Sequence, residues 1–445
     1  MPDAEMDNTF AKLTLISKRA HEEPECKFTS LAHLLNKGYL KACYKKLGRD
    51  RACGVDNVTW KEYGQELDAN LESLVERLKN RKYKPLPAKR VYIPKNEHEK
   101  RPLGLPALED KIVQKGIAGI LEAIYEEDFL DCSYGFRPGR GCHQAINAVD
   151  KTIMTKPINH VIEADIKGCF DNISHDWLMK FLEVRIKDPS LLIIIRRILK
   201  AGYLEAEMKV ASERGTPQGG NLSPLLCNVF LHYVLDLWFE RKIKPQVNGD
   251  AYLVRYADDF ICMVRSVGAA QEIEEMLRER FTKFELELHP EKTRVLSFGR
   301  YERENAKKQN RKPNTFDFLG FTHYCDISRK GKFMINRQTS SKKFRQKCKE
   351  MNAWLKAVRG TAPAKDWWPI LAAKLRGHYQ YYGISGNMPA LQRYHYTTIR
   401  LTRKWLNRRS QRGKYSWQGF TEYLEHYPLP KPRIVHNLYT LAPVS

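Results

Sequence analysis

An α+β fold is predicted for this 445-residue chain, with a mixed core running to residue 325 and an α-helical basic region after it. Three observations carry the prediction. Short apolar strands, His160–Ile166 and Tyr252–Val264, lie among stretches whose apolar residues recur every three or four positions, the spacing of helices. The Tyr252–Val264 stretch is two apolar runs around Ala257-Asp258-Asp259, which reads as an antiparallel hairpin. Charge is also segregated. From Lys330 to Ser445 there are 23 Lys and Arg against 4 Asp and Glu, whereas the first 329 residues hold 53 against 48.

Taken in order, the opening residues are polar and read as a frayed N-terminal segment, 1–27. Thr29–Leu78 is mostly helical in pattern (Leu31, Leu34, Leu35), with Gly54-Val55-Asp56 interrupting as a loop. Lys89–Ile93 reads as a strand ended by Pro94, and Glu109–Tyr125 as a helix. His160–Ile166 is a short strand ending in an acid, and Asp176–Ala201 is helical. A Gly/Pro-rich turn precedes the Leu222–Glu240 helix, with Pro224 in a favoured first-turn position. Gly268–Phe284 is a further helix. Gly299–Asn314 is charged and poor in apolar residues, the profile of a linker or exposed loop. A strand pair, Phe316–Thr322 and Lys332–Ile335, then leads into the basic helices.

Composition narrows the function. Aromatic residues at 11% argue against disorder. There is no run of 18 apolar residues, so no membrane span is expected, and the polar, acidic start is unlike a signal peptide. The ten cysteines include no CxxC pair, which removes zinc-ribbon spacing and leaves free thiols in a reducing, cytoplasmic setting as the plain reading. The concentrated basic segment is the footprint of a polyanion. Nucleic acid is favoured over anionic membrane, because no long basic amphipathic helix with a Leu/Phe face stands out.

The sharpest local signal is Tyr256-Ala257-Asp258-Asp259 between apolar strands. By itself, a polar hairpin tip explains it. Asp165 closes another apolar strand, however, and three carboxylates delivered by neighbouring strands make a hard, oxygen-rich site of the kind Mg²⁺ takes, with substrate phosphates completing its shell. Phosphoryl transfer asks little else of a protein beyond positive side chains on the triphosphate.

Nine blocks in order then carry a family resemblance: Ile93-Pro94-Lys95, Arg101 to Pro106, Ser133 to Pro138, Asp165 to Asp171, Gly215 to Gly220, Leu222-Ser223-Pro224, Tyr256 to Asp259, His289 to Thr293, and Phe318 to Phe321. From residue 28 to 438 the sequence resembles group II intron-encoded reverse transcriptases, also called intron maturases. The resemblance implies a right-hand polymerase, with fingers and a palm bearing an antiparallel sheet over 28–325 and a thumb/maturase domain over 326–445. It implies catalysis by Asp165, Asp258 and Asp259, which with Ile166 would hold two Mg²⁺ ions, Mn²⁺ being able to substitute. Lys95, Arg101 and Lys292 would hold the incoming triphosphate, and Gln218 would lie along the nascent pair. Phe170 would exclude a 2′-hydroxyl; an ordinary core aromatic is the alternative. Cys169 departs from the Phe common in the family, which bears on the shape of that pocket. Arg137 and Gly219 would meet template or primer, with a structural ion pair as the rival role for Arg137. Basic residues among aromatics, Arg400, Arg403, Lys404, Arg408 and Arg409, would bind RNA, while Tyr381, Tyr382 and Trp405 read as core.

The implied activity is RNA-directed DNA synthesis that copies intron RNA and assists its splicing. The implied partners are intron RNA in a ribonucleoprotein, an RNA template with a DNA primer, dNTPs and target DNA, in a bacterial-type, nucleoid-associated location. Oligomeric state is open. No His/Asn-rich segment or cysteine pair follows Pro432, so the DNA endonuclease module of some relatives is not expected. Two other readings stand: a domesticated reverse transcriptase of CRISPR adaptation or phage defence, and an RNA-binding splicing factor whose polymerase is dormant. Intact Asp165, Asp258 and Asp259 weigh against the second.

Overall fold

Period-two alternation along one sheet feeds two separate cores. The structure is a computed structural model that describes residues 2–94, 100–205, 208–210, 213–216, 219–247, 250–409 and 415–438. Its strands are β1 (Ala88–Pro94), β2 (Lys100–Leu105), β3 (His160–Asp165), β4 (Tyr203–Glu205), β5 (Met208–Val210), β6 (Ala251–Tyr256), β7 (Asp259–Val264), β8 (Arg294–Ser297), β9 (Thr315–Phe318), β10 (Phe321–Ile327) and β11 (Phe333–Thr339). They form a central sheet in the order β6-β7-β3-β8 and two smaller ones, β2-β1-β4-β5 and β11-β10-β9.

In the central sheet Ile162, Ala164, Phe260 and Cys262 point into one core, while Val161, Ile261 and Met263 point into the other. The first core is built with the helices Leu108–Asp128, Pro189–Lys200 and Ser223–Leu231, whose Ile112, Ile117, Ile195 and Phe230 are fully buried. Each such side chain stabilises by about 1.5–3 kcal/mol relative to exposure. The second core joins the helix Cys142–Thr155 (Ile146, Val149) to the basic helices Ala364–Tyr382 and Met388–Asn407 through Leu371, Leu375, Leu391 and Trp405. The change in composition near residue 325 is therefore a change of surface charge. No break between cores falls there, because the basic helices pack on the same sheet that carries the acidic residues.

Most predicted elements are present, and the departures have local causes. The N-terminal segment is a helix, Pro2–Glu22, packed along Leu108–Asp128. Phe10, Leu13, Ile16 and Ala20 give it an apolar stripe at helical spacing, and Ser17 Oγ donates to Glu127 at 2.7 Å. Asp176–Ala201 divides into His175–Arg185 and Pro189–Lys200, since Asp188 caps a new helix whose first residue is Pro189. Gly299–Asn314 is neither linker nor loop. It contains the helix Glu302–Lys308, and the buried Glu302 carboxylate accepts from Arg311 at 2.6 and 3.1 Å and from the Asn314 N–H at 2.7 Å. The predicted Phe316–Thr322 strand is folded in two by left-handed Leu319 (φ +51°) and Gly320 (φ +83°), which makes a third strand. No described helix is long and apolar enough to cross a membrane.

Candidate active site

Strand register brings the acids together. Asp165, the last residue of β3, is the direct partner of Asp259, the first of β7, and Asp259 pairs in turn with Tyr256 of β6. Ala257 and Asp258 are left as the two-residue turn, with Ala257 in the left-handed region at φ +58°. A non-glycine residue there carries about 1–2 kcal/mol of strain, so the surroundings must hold it.

They do so through Arg255, which is fully buried. Its guanidinium donates to Asp236 Oδ1 at 2.8 Å and Oδ2 at 2.6 Å, to Asn228 Oδ1 at 3.0 Å, to Ser133 Oγ at 2.7 Å and to the Ala257 carbonyl at 3.0 Å. Asn228 donates onward to the Gly135 carbonyl at 2.8 Å. Gly135 lies so close to the Ala257 amide that a Cβ there would collide with it, which explains the glycine. Arg255, Asp236 and Asn228 were not picked out from sequence, and Ser133 only as the start of a family block. The only hint was a charge inside an apolar strand, Leu253-Val254-Arg255.

The carboxylates repel one another. Burial and then the neighbouring Asp165 push the Asp258 carboxyl up, with Arg101 and Lys292 pulling the other way. Burial, Asp165, Asp258 and Glu163 push Asp259 up further. Lys292 Nζ is hydrogen-bonded to Asp165 Oδ2. Beyond Asp165 the chain pairs with 287–289: the His289 N–H donates to the Asp165 carbonyl at 2.8 Å and Lys167 N–H to the Glu287 carbonyl at 2.9 Å. These two bonds flank the Ile166–Leu288 bridge and leave the Ile166 carbonyl outside the ladder. Among the described residues no three His, Cys, Asp or Glu side chains are placed to hold a metal ion by themselves. What the site offers is an open edge of hard oxygen donors, which suits Mg²⁺ shared with substrate phosphates.

Phe170 is half-buried, edge-on to Phe136 at 6.4 Å, and its carbonyl accepts from the Thr216 N–H at 2.7 Å. That bond, with Gly215 N–H to the Ile173 carbonyl at 2.8 Å, ties Gly215 and Thr216 to the segment that follows β3. Gly219 (φ +109°) faces the Gly104 carbonyl, which a Cβ would approach to 2.7 Å. Contact with β2 is enough to require glycine there. Arg101 lies on β2, exposed and close enough to influence Asp258. Lys95 and Gln218 lie outside the described residues.

The expectation that Arg137 meets template is overturned. Its side chain is buried, donating to Glu126 Oε2 at 2.9 Å and to the Leu130 and Ser133 carbonyls at 2.8 and 3.1 Å, with Phe129 beneath it. A guanidinium so fully engaged is a structural brace. In the basic helices Arg400, Lys404, Arg408 and Arg409 are exposed. Arg403 is half-buried, stacked 4.3 Å over Trp417 and bonded to the Tyr415 carbonyl. Tyr382 and Trp405 are core, whereas Tyr381 is half-buried with its hydroxyl on the Leu319 carbonyl at 2.8 Å.

From Asp259 a cavity of about 700 Å³ runs past Leu319 and Gly320 to two basic helices, Ser341–Val358, which brings Lys343 and Lys347, and Ala364–Tyr382, which brings Lys374, His378 and Tyr381. The sequence signalled the excess of charge there but not which lysines face the acids.

The sequence profile described as reverse transcriptase (RNA-dependent DNA polymerase) matches residues 93–323, which contain all of these acids. Group II intron-encoded protein LtrA of Lactococcus lactis is 37% identical over 241 residues, 54% of this chain and 40% of LtrA. Protein YkfC of Escherichia coli is 34% identical over 272 residues, 54% of this chain and 71% of YkfC. Nuclear intron maturase 3 of Arabidopsis thaliana is 30% identical over 179 residues, 36% of this chain and 25% of that protein. The match with LtrA thus spans less than half of that protein's length. A telomerase structure from Candida albicans shares 15% identity over 80% of this chain and 67% of its own, at a TM-score of 0.43, too remote to place any residue. The chain belongs to the reverse transcriptase family.

Proposed function

We propose that the protein is an RNA-directed DNA polymerase that extends a DNA primer on intron RNA and assists splicing of that RNA. The observation that carries this reading is the register that sets Asp165 against Asp259 beside Asp258, inside the segment matching the family profile. On this reading the central sheet is the palm, the β1–β2 hairpin belongs to the fingers, and the basic helices are the thumb. Asp165, Asp258, Asp259 and the Ile166 carbonyl would hold two Mg²⁺ or Mn²⁺ ions. Such ions would activate the primer 3′-hydroxyl and steady the leaving pyrophosphate.

The chain's own residues do the rest. Arg101 and Lys292, with Lys95, neutralise the triphosphate, and Lys292 would exchange its bond to Asp165 for a phosphate oxygen as substrate arrives. Phe170, whose ring is half-exposed five residues after Asp165, would close the space a 2′-hydroxyl needs. The lysine-lined cavity gives the primer–template duplex a path away from Asp259. Target DNA would enter as the primer or its complement.

Primer extension on poly(rA)/oligo(dT) with Mg²⁺ tests this. The intact chain should incorporate dTTP and Asp258→Ala should not, with thermal unfolding of the two alike. Activity remaining in Asp258→Ala would remove the assignment.

A further inference from the structure

The loop Tyr134–Pro138 holds a feature that its packing does not explain. Phe136 is 56% exposed although it is a large apolar side chain, and its backbone sits at φ +60°, where a residue other than glycine is strained. Its neighbours do not let it relax. Tyr134 N–H donates to the Arg255 carbonyl at 2.9 Å, the Gly135 carbonyl accepts from Asn228, Gly135 abuts Ala257, and Arg137 is locked into Glu126 and two carbonyls. Tyr134 and Gly135 are thus fixed to the strand and turn that carry Asp258, while Asn228 and Glu126 hold the loop from neighbouring helices. The strained, exposed ring sits edge-on to Phe170 at 6.4 Å and 88°. An edge-on pair is a favoured aromatic geometry.

We propose that Phe136 is a positioning residue for sugar selection: its ring braces Phe170 from the open side of the pocket and keeps the Phe170 ring over the place of a 2′-hydroxyl. This rests on the polymerase reading above and on the role given there to Phe170. Phe170 is itself only half-buried, packed against the first core. Phe136 meets it edge-on, with the loop anchors preventing both rings from swinging out together. The free part of the Phe136 ring then faces the incoming nucleotide.

The test compares the full-length protein with Phe136→Ala, Phe136→Tyr, Phe170→Ala and the double variant Phe136→Ala/Phe170→Ala. Efficiencies (kcat/KM) for a dNTP and the matching rNTP are measured on an RNA template with a DNA primer, alongside thermal unfolding. Phe136→Ala should raise the rNTP:dNTP efficiency ratio by roughly tenfold, the scale of one lost edge-on aromatic contact. Phe136→Tyr should stay near the parent ratio. In the Phe170→Ala background the Phe136 change should add nothing, since two residues acting through one contact are not additive. Phe136→Gly, which suits the left-handed backbone, should fold at least as well as the parent and show the same loss of selectivity. An unchanged ratio in both Phe136→Ala and Phe136→Gly, or full additivity with Phe170→Ala, overturns the assignment while the polymerase stands. Failure of the parent protein to incorporate any dNTP would instead overturn the polymerase reading, and this one with it.

Discussion

On one side of the cleft Asp165 and Asp259 face each other across a strand ladder, with their turn tied down by a buried arginine. On the other, Lys343, Lys347 and Lys374 ride on two helices with their ammonium groups toward solvent, Lys347 paired with Glu350 at 2.8 Å and Lys374 over the Trp354 ring. The acidic side concentrates like charges at a fixed spacing, and buried hydrogen bonds hold it there. The basic side spreads its charges over flexible stems, held by surface contacts only. Position matters on the first side and the sum of charges matters on the second. Removing one group should therefore be severe on the acidic side and graded on the basic side.

The largest expected effect is at Asp165. Asp165→Asn should lower primer extension by on the order of 10³-fold or more, the scale of losing a principal transition-state stabiliser. It should leave the unfolding midpoint unchanged or higher, because a repelling charge is gone. A drop in both together would mean that the acids hold the fold, and the contrast would fail. Arg255→Leu comes next, with a loss of about 3–5 kcal/mol in stability from leaving Asp236 buried and unpaired. Adding Asp236→Leu should recover part of the stability in urea unfolding but not the activity, since the Ala257 carbonyl still lacks its donor.

The two arginines Arg137 and Arg400 sharpen the comparison further. Arg137→Ala should cost about 2–3 kcal/mol, while Arg400→Ala should stay within about 0.5 kcal/mol. RNA affinity should respond in the opposite order. On the basic side, changing Lys343, Lys347 and Lys374 together to Gln should flatten the slope of log affinity against log salt by about 0.9 per lost phosphate contact on a duplex. Fluorescence anisotropy with an RNA–DNA primer–template reads this, and an unchanged slope would take the duplex out of that cavity.

The smallest effect is the pH response of His378. Burial holds this ring down at about 3, and it stacks 3.7 Å from Tyr394. The unfolded imidazole, near pKa 6.5, takes up a proton that the folded one refuses. Its contribution is therefore fully present above about pH 6.5 and is lost as pH falls toward 3. Asp110 and Asp128, both pushed up by burial to about 6, titrate in the same window with the opposite sign. The parent protein should accordingly be compared with His378→Phe, in which those terms cancel. The stability difference should shrink with acid by at most about 1.4 kcal/mol per pH unit. A difference independent of pH would mean that the folded ring takes up a proton as readily as the unfolded one.

What the sequence determined by itself follows from local chemistry. Alternating and helical spacing set most of the elements, the acids after apolar strands marked the site, and the count beyond Lys330 marked the polyanion-binding side. Each of these depends on neighbours within a few residues. Tertiary structure decided the questions that rest on distant partners. Arg137 and Arg400 are the same residue type, and only the nearness of Glu126 and two carbonyls makes the first a brace. The polar N-terminal segment is ordered because a helix about 90 residues later offers its face. Gly219 is glycine because the Gly104 backbone presses on it, and the Tyr256–Asp259 turn holds its strained form because Arg255 reaches Asp236, Asn228 and Ser133 in three other segments. Burial and hydrogen-bond satisfaction belong to the whole packed chain, so no local pattern in the sequence displays them.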